Sequence, residues 1–168
     1  MLVFRPLFDP LSCTDTYLLG AARAGEAVLI DPVFEHARRD LALRHEPAWA
    51  PLNYSFDGSW EIQPAALHER LAAAGQPAVQ LIDVREPAEF NDALGHLPGA
   101  QLLPLSTLGA RLGELDRSRP VVTLCRSGAR SAQASVLLQQ AGLLQVANLA
   151  GGLLRWRAEA LPVEGGVA

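Results

Sequence analysis

The chain has no lysine: all 14 of its Lys+Arg residues are arginine. Schiff-base chemistry and a lysine-based phosphate loop are therefore excluded. Its two cysteines, Cys13 and Cys125, lie far apart, which rules out a disulfide framework or a Cys-x-x-Cys metal knuckle. The histidines, His36, His45, His68 and His96, have no ligand spacing with one another. Long apolar runs are also missing. The runs around Val28–Ile30 and Val121–Leu124 fall well short of the roughly 18–20 residues a bilayer span needs. Arg5 is the one early cation and no apolar stretch follows a basic one, so a secretory leader is not expected. The expected setting is a reducing cytoplasm. A net charge of −4 argues against binding nucleic acid or an anionic membrane through bulk charge.

What is present suffices for a core. Of 168 residues, 49% are hydrophobic and 19% charged, which fits one ordinary domain with a small appendage and excludes wholesale disorder. Residues 1–46 read as β-rich runs and turns followed by a short helical pattern over 35–46. Residues 47–59, with two prolines, a glycine and the aromatics Trp49, Tyr54 and Phe56, read as a linker lying on a surface. From Trp60 onward strands alternate with helices. Helices are expected over 64–74, 87–93, 106–115, 131–141 and 153–160, and buried strands over 79–84, 121–124 and 146–149. That alternation predicts an α/β fold, a doubly wound parallel sheet covered on both faces.

The most informative segment is the strand Val121–Leu124, the loop Cys125-Arg126-Ser127-Gly128-Ala129-Arg130 and the helix after it. Ligands of open α/β sheets bind outside the carboxyl ends of strands. Gly128 lets successive backbone N–H groups converge on one point, and the helix N-terminus adds partial positive charge. Cys125 falls at the bottom of that cradle, which favours its thiolate. Arg126 and Arg130 can bind or steer an anion. Arg130 can equally pair with a carboxylate and brace the loop, and Ser127 either donates to a ligand sulfur or satisfies the turn. Asp83 and Arg85, just after a buried strand, are placed to form an ion pair that locks the neighbouring loop. His96, between Gly95 and Leu97, reads as a hydrogen-bonding turn residue.

Four motifs in order carry a resemblance: Asp83-Val84-Arg85-Glu86 with Glu89-Phe90, then Gly95-His96-Leu97-Pro98-Gly99-Ala100, then Cys125 to Ser131, then Gly151-Gly152 with Trp156. Together they resemble the rhodanese (sulfurtransferase) domain over about residues 60–163, leaving 164–168 as a tail. The resemblance implies five parallel strands with flanking helices and a nucleophilic Cys125 that carries a persulfide. It implies substrate contacts from Arg126, Ser127, Gly128, Ala129 and Arg130, with Asp83, Arg85 and Ser131 as structural neighbours. Related phosphatases and arsenate reductases use Cys-x5-Arg loops. The four residues between Cys125 and Arg130 match the narrower loop that suits a single sulfane sulfur.

Residues 1–46 resemble the start of persulfide dioxygenases, iron enzymes of the metallo-β-lactamase fold that are fused in bacteria to rhodanese domains. The matching residues run from Phe4 to Asp9, Thr14 to Leu19 and Glu26 to Val33, with Arg39-Asp40-Leu41, and the linker resembles the joint of such fusions. The His-x-His-x-Asp-His run that binds the metal has no counterpart here. No metal, no cofactor and no dioxygenase activity are expected, and Asp9 and Asp31 read as turn residues. Strands cut from a larger sandwich have open edges, so a homodimer through residues 1–46 is expected. Cys13 reads as a small buried or edge residue. The expected activity moves a sulfane sulfur from thiosulfate or glutathione persulfide to a thiol or cyanide through Cys125. The alternative is a non-enzymatic docking or persulfide-sensing module assembled through its N-terminal strands.

Overall fold

The computed structural model describes residues 2–9, 14–21 and 27–30 as backbone strands, and residues 47–166 apart from 56–57, 74 and 76–77. The chain divides into two compact units, Met1–Glu46 and Pro47–Ala168. In the first, β1 (Leu2–Asp9), β2 (Thr14–Ala21) and β3 (Ala27–Ile30) form an antiparallel sheet in that order. Leu2 faces Ala21 and Asp9 faces Thr14, so Asp9 closes a strand and is not a turn residue. Pro6 is tolerated because β1 is an edge strand among the described residues, where a missing N–H costs little. The expected helix over 35–46, Cys13, Asp31 and Phe56 lie outside the described residues.

The second unit is built on β4 (Leu52–Tyr54), β5 (Trp60–Ile62), β6 (Gln80–Asp83), β7 (Gln101–Leu102), β8 (Val121–Leu124) and β9 (Val146–Leu149). Their order is β4-β5-β9-β8-β6-β7. Five strands run parallel, and β4 adds a sixth, antiparallel to β5. The expected five-stranded parallel sheet is thus present with one more strand, drawn from residues read as linker. Tyr54 packs edge-on against Trp60 at 5.0 Å between ring centroids, which fixes that strand to the sheet. The tail is also tied down: Glu164 and His96 exchange backbone hydrogen bonds of 2.8 and 2.9 Å.

Every residue of the central strands β8 and β9 is buried, which explains why all of them but Thr123 and Asn148 are apolar. The helices are α1 (Pro64–Ala72), α2 (Pro87–Phe90), α3 (Leu105–Leu108), α4 (Ala129–Gln140) and α5 (Gly152–Ala158). The single helix expected over 106–115 is α3 followed by a 3₁₀ segment, Gly109–Glu114, whose Arg111 leaves helical geometry. Two glycines in this stretch weaken the α-helix. Helix α4 turns small residues, Ser131, Ala132, Ala134 and Ser135, into the interior, so it can lie close to the strands.

The chain passes from β6 outward to β7 and from β8 the other way to β9. The crevice at the carboxyl ends of β6 and β8 is therefore the switch point of the sheet, the place where such folds hold ligands. On the β6 side it is shaped by a buried ion pair. Arg85 donates from Nη2 to Asp83 Oδ2 at 2.7 Å, and both side chains are fully buried. Arg85 also donates to the carbonyls of Glu89 and Gly95, each at 2.8 Å, so one guanidinium holds three turns of chain together. Breaking such a pair leaves a charge buried without its partner. Asp83→Asn is expected to cost about 3–5 kcal/mol of stability, read from urea unfolding. A loss below about 1 kcal/mol would show that water reaches Arg85 in the variant.

Candidate active site

Cys125 follows β8 directly and is 1% exposed. Its loop turns at Gly128, where φ is +100°. A side chain there would be strained by that angle, although its Cβ would make only ordinary contact with Gly151 N at 3.4 Å and Leu149 O at 3.5 Å. The turn brings the Gly128 N–H within 3.2 Å of Cys125 Sγ, where it donates to the sulfur. Helix α4 makes its first internal bond from Ala132 N to Gly128 O at 2.9 Å. The N–H groups of Ala129, Arg130 and Ser131 are therefore unspent within the helix, as at any helix start.

The opposite wall is α5. Leu153 N donates to Cys125 O at 2.9 Å and Leu154 N to Arg126 O at 3.0 Å. A trans peptide is planar, with C=O and N–H pointing opposite ways. Pinning these two carbonyls on α5 therefore turns the N–H groups of Arg126 and Ser127 away from it. The approach leaves no room for a side chain at Gly152, where a Cβ would fall 2.5 Å from Cys125 O and 2.7 Å from Arg126 O.

Beneath the sulfur lies a buried polar chain. Ser131 Oγ is 3.3 Å from Cys125 Sγ, 3.0 Å from Gly128 O and 2.6 Å from Asn148 Oδ1. Asn148 Nδ2 donates to Glu61 Oε1 at 3.1 Å. Thr123 donates to Ser131 O at 2.8 Å and accepts from Ser135 Oγ at 2.6 Å.

Arg130 turns to the rim and donates both Nη groups to Glu89, at 2.7 Å to Oε2 and 2.6 Å to Oε1. Of the two roles open to it from sequence, the structure gives it the bracing one. The clamp joins α2, beyond β6, to α4, beyond β8, and so spans the switch point. The Arg130 hydrogen bond holds the Glu89 carboxyl down at about 2, from 4.5. Arg130 is raised above its ordinary value, first by that bond and further by the charges of Glu89, Cys125 and Asp83. Arg126, Ser127 and Ala129 are exposed along the loop, and the Arg126 guanidinium has no ion pair among the described residues. His96 stacks on Phe90 at 4.0 Å with Nδ1 3.2 Å from the Phe90 carbonyl, a turn-holding role away from the sulfur.

Sequence reasoning missed Glu61, Thr123, Ser135 and Asn148. The signal was available for two of them: Thr123 and Asn148 are polar residues inside otherwise apolar buried strands, and such groups require partners. Glu61 and Ser135 look like ordinary surface and helix residues until the register is known.

Because Glu89 is more acidic folded than unfolded, its ionised form stabilises the fold above about pH 4.5, and that contribution disappears as pH falls toward 2. Glu89→Gln is expected to be less stable by about 1 kcal/mol at neutral pH, since the pair is partly exposed. The gap should close between pH 4.5 and 2. Urea midpoints across that range check it, and a gap that persists at the acid end would assign the loss to geometry instead of charge.

Comparison with known proteins adds to this geometry. Residues 64–159 match the Rhodanese-like domain model. A protein of Allochromatium vinosum named sulfurtransferase is 43% identical over 103 residues, 61% of this chain and 92% of its own length. The human mitochondrial persulfide dioxygenase ETHE1 is 56% identical over 45 residues, 27% of this chain and 18% of its own length. The solution structure of the rhodanese-like domain of the Anabaena Alr3790 protein superposes with a TM-score of 0.56 at 34% identity, covering 62% of this chain and 78% of that one. Among the described residues no helix is long and apolar enough to cross a membrane. The matched model spans more than half of the chain, and the chain belongs to the rhodanese-like family, to which its sulfurtransferase relatives also belong.

Proposed function

We propose that the chain is a sulfurtransferase that carries a sulfane sulfur as a persulfide on Cys125, taking it from thiosulfate or glutathione persulfide and passing it to a thiol or cyanide. The observation that carries the reading is the position of Cys125 Sγ, at the base of a narrow loop with the Gly128 N–H on it at 3.2 Å. With thiosulfate, the thiolate attacks the sulfane sulfur and a new S–S bond forms. The bond to the sulfonate sulfur breaks, and sulfite leaves with its electron pair. In the second half-reaction an acceptor thiolate attacks the outer sulfur, and the electron pair of the broken bond returns to Sγ. The added sulfur moves the negative charge one atom outward, toward the N–H groups that the loop presents. Arg126 is the cation available to the anionic donor, because Arg130 is occupied by Glu89. Four residues between Cys125 and Arg130 suit one sulfur better than a tetrahedral oxyanion, which favours this reading over phosphatase chemistry.

The test is intact-protein mass after incubation with thiosulfate, with a gain of one sulfur that is lost on adding cyanide. Cys125→Ser should show neither gain nor turnover while keeping its fold. Arg126→Ala should load more slowly, since a charge-assisted contact contributes about 1.5–3 kcal/mol, or about tenfold to a hundredfold in kcat/KM. An unmodified wild-type mass with both thiosulfate and glutathione persulfide would overturn the reading in favour of a binding module.

The three-stranded sheet of the first unit has two edges within the described residues. Such edges recruit further strands, and we propose that they carry self-association. Light scattering should find a dimer for the full chain and a monomer for residues 47–168. A full-length monomer at high concentration would overturn it.

A further inference from the structure

In the buried chain behind the sulfur one hydroxyl hydrogen faces three acceptors. Glu61 Oε1 is held by an amide N–H at 3.1 Å, so the Asn148 side chain must present Nδ2 to Glu61 and therefore Oδ1 to Ser131. An ionised carboxylate cannot donate, and this fixes the amide's orientation. Ser131 Oγ then has a single hydrogen and faces Asn148 Oδ1 at 2.6 Å, Gly128 O at 3.0 Å and Cys125 Sγ at 3.3 Å. Ser131 is fully buried and Asn148 is 1% exposed, so water does not freely take the place of that hydrogen. Glu61 and Asn148 are register partners on the parallel strands β5 and β9, so the sheet itself sets this relation.

From this geometry we propose that Glu61 and Asn148 are positioning residues that draw the Ser131 proton away from Cys125 Sγ and so favour the sulfur-loaded form over the free thiolate. The inference rests on the sulfur-transfer reading above. In the persulfide, Sγ is a neutral bridging sulfur and a poor acceptor, and the Ser131 proton lies on Asn148 without loss. In the thiolate, Sγ carries the charge and attracts that proton. Moving it leaves two oxygens facing each other across the 2.6 Å contact with nothing between them. The pair therefore raises the cost of forming the thiolate as a leaving group, and the loaded enzyme holds its sulfur longer. Gly128 O is a competing acceptor, but a neutral carbonyl loses to a thiolate.

Cyanide is the discriminating acceptor because it is small and needs no binding surface. Its carbon bonds to the outer sulfur, the S–S bond breaks, and the electron pair returns to Sγ as thiocyanate leaves. Single-turnover discharge of the thiosulfate-loaded protein should be about tenfold faster in Asn148→Ala, the effect of one redirected hydrogen bond. Loading from thiosulfate should not be accelerated. Glu61→Gln should act in the same direction, because an amide at that position can donate to Asn148 and let it turn Nδ2 toward Ser131. The half-buried position of Glu61 makes this variant the one least dependent on core packing. Adding Asn148→Asp to Glu61→Gln restores an acceptor-only group beside Ser131 and should return discharge to the slow rate. In a Ser131→Ala background, Asn148→Ala should change nothing.

Unchanged or slower discharge in Glu61→Gln overturns the proposal. So does an acceleration that survives loss of the Ser131 hydroxyl, or a parallel fall in both half-reactions. A wild-type protein that takes up no sulfur would instead overturn the sulfur-transfer reading, so the two failures are distinct.

Discussion

The site depends on how closely α5 approaches the cysteine loop. Two carbonyls, those of Cys125 and Arg126, are held by the first free N–H groups of that helix. Peptide planarity converts those two bonds into the direction of two N–H groups on the other side of the chain. Helix α4 meanwhile contributes its own unspent N–H groups. The sulfur itself takes the Gly128 N–H at 3.2 Å, while the α5 N–H groups are spent on the loop's carbonyls and hold the loop in place. The same approach explains why Gly152 has no room for a side chain.

Two further ties keep that approach from loosening. The Asp83–Arg85 pair fixes the chain after β6, and the Arg130–Glu89 clamp connects that chain to the helix after β8. Their energetics differ. The first is fully desolvated, so its integrity matters far more than its net contribution to stability. The second is partly exposed and screened, so it contributes little to stability but ties α2 to α4 across the switch point. Because Arg130 is occupied by Glu89, Arg126 is the exposed loop arginine with no ion pair among the described residues.

Much of this was legible beforehand because the central strands are buried on both faces. β8 and β9 read as apolar runs interrupted at Thr123 and Asn148, and their ends coincide with the expected ones. The strand-to-loop step at Cys125 followed from the same pattern. The outer strands were not legible: β4, β5 and β7 have three, three and two residues. Segments that short carry no periodicity of their own, and their strand character comes from the neighbour they pair with. The ion pair at Asp83 and Arg85 could be anticipated from its place after a buried strand. The choice between clamp and ligand for Arg130 could not, since it turns on where Glu89 lies, 41 positions away in sequence.

The buried polar chain shows why such a choice escapes local reasoning. Thr123, Ser131, Ser135 and Asn148 are all buried beneath the loop, where apolar residues would pack at lower risk. Each is satisfied by another member or by backbone, so the group avoids most of the cost of burial. Satisfaction alone does not account for the choice of side chains, because alanine and valine at these positions would leave nothing to satisfy. What the polar set provides is a hydroxyl within reach of the sulfur whose proton has a second place to go. An apolar interior would leave the charge on Sγ to the backbone alone, with a fixed response. A hydroxyl shared between sulfur and amide has two acceptors to choose between, and on the proposed sulfur-transfer reading that choice differs between the loaded and the unloaded sulfur.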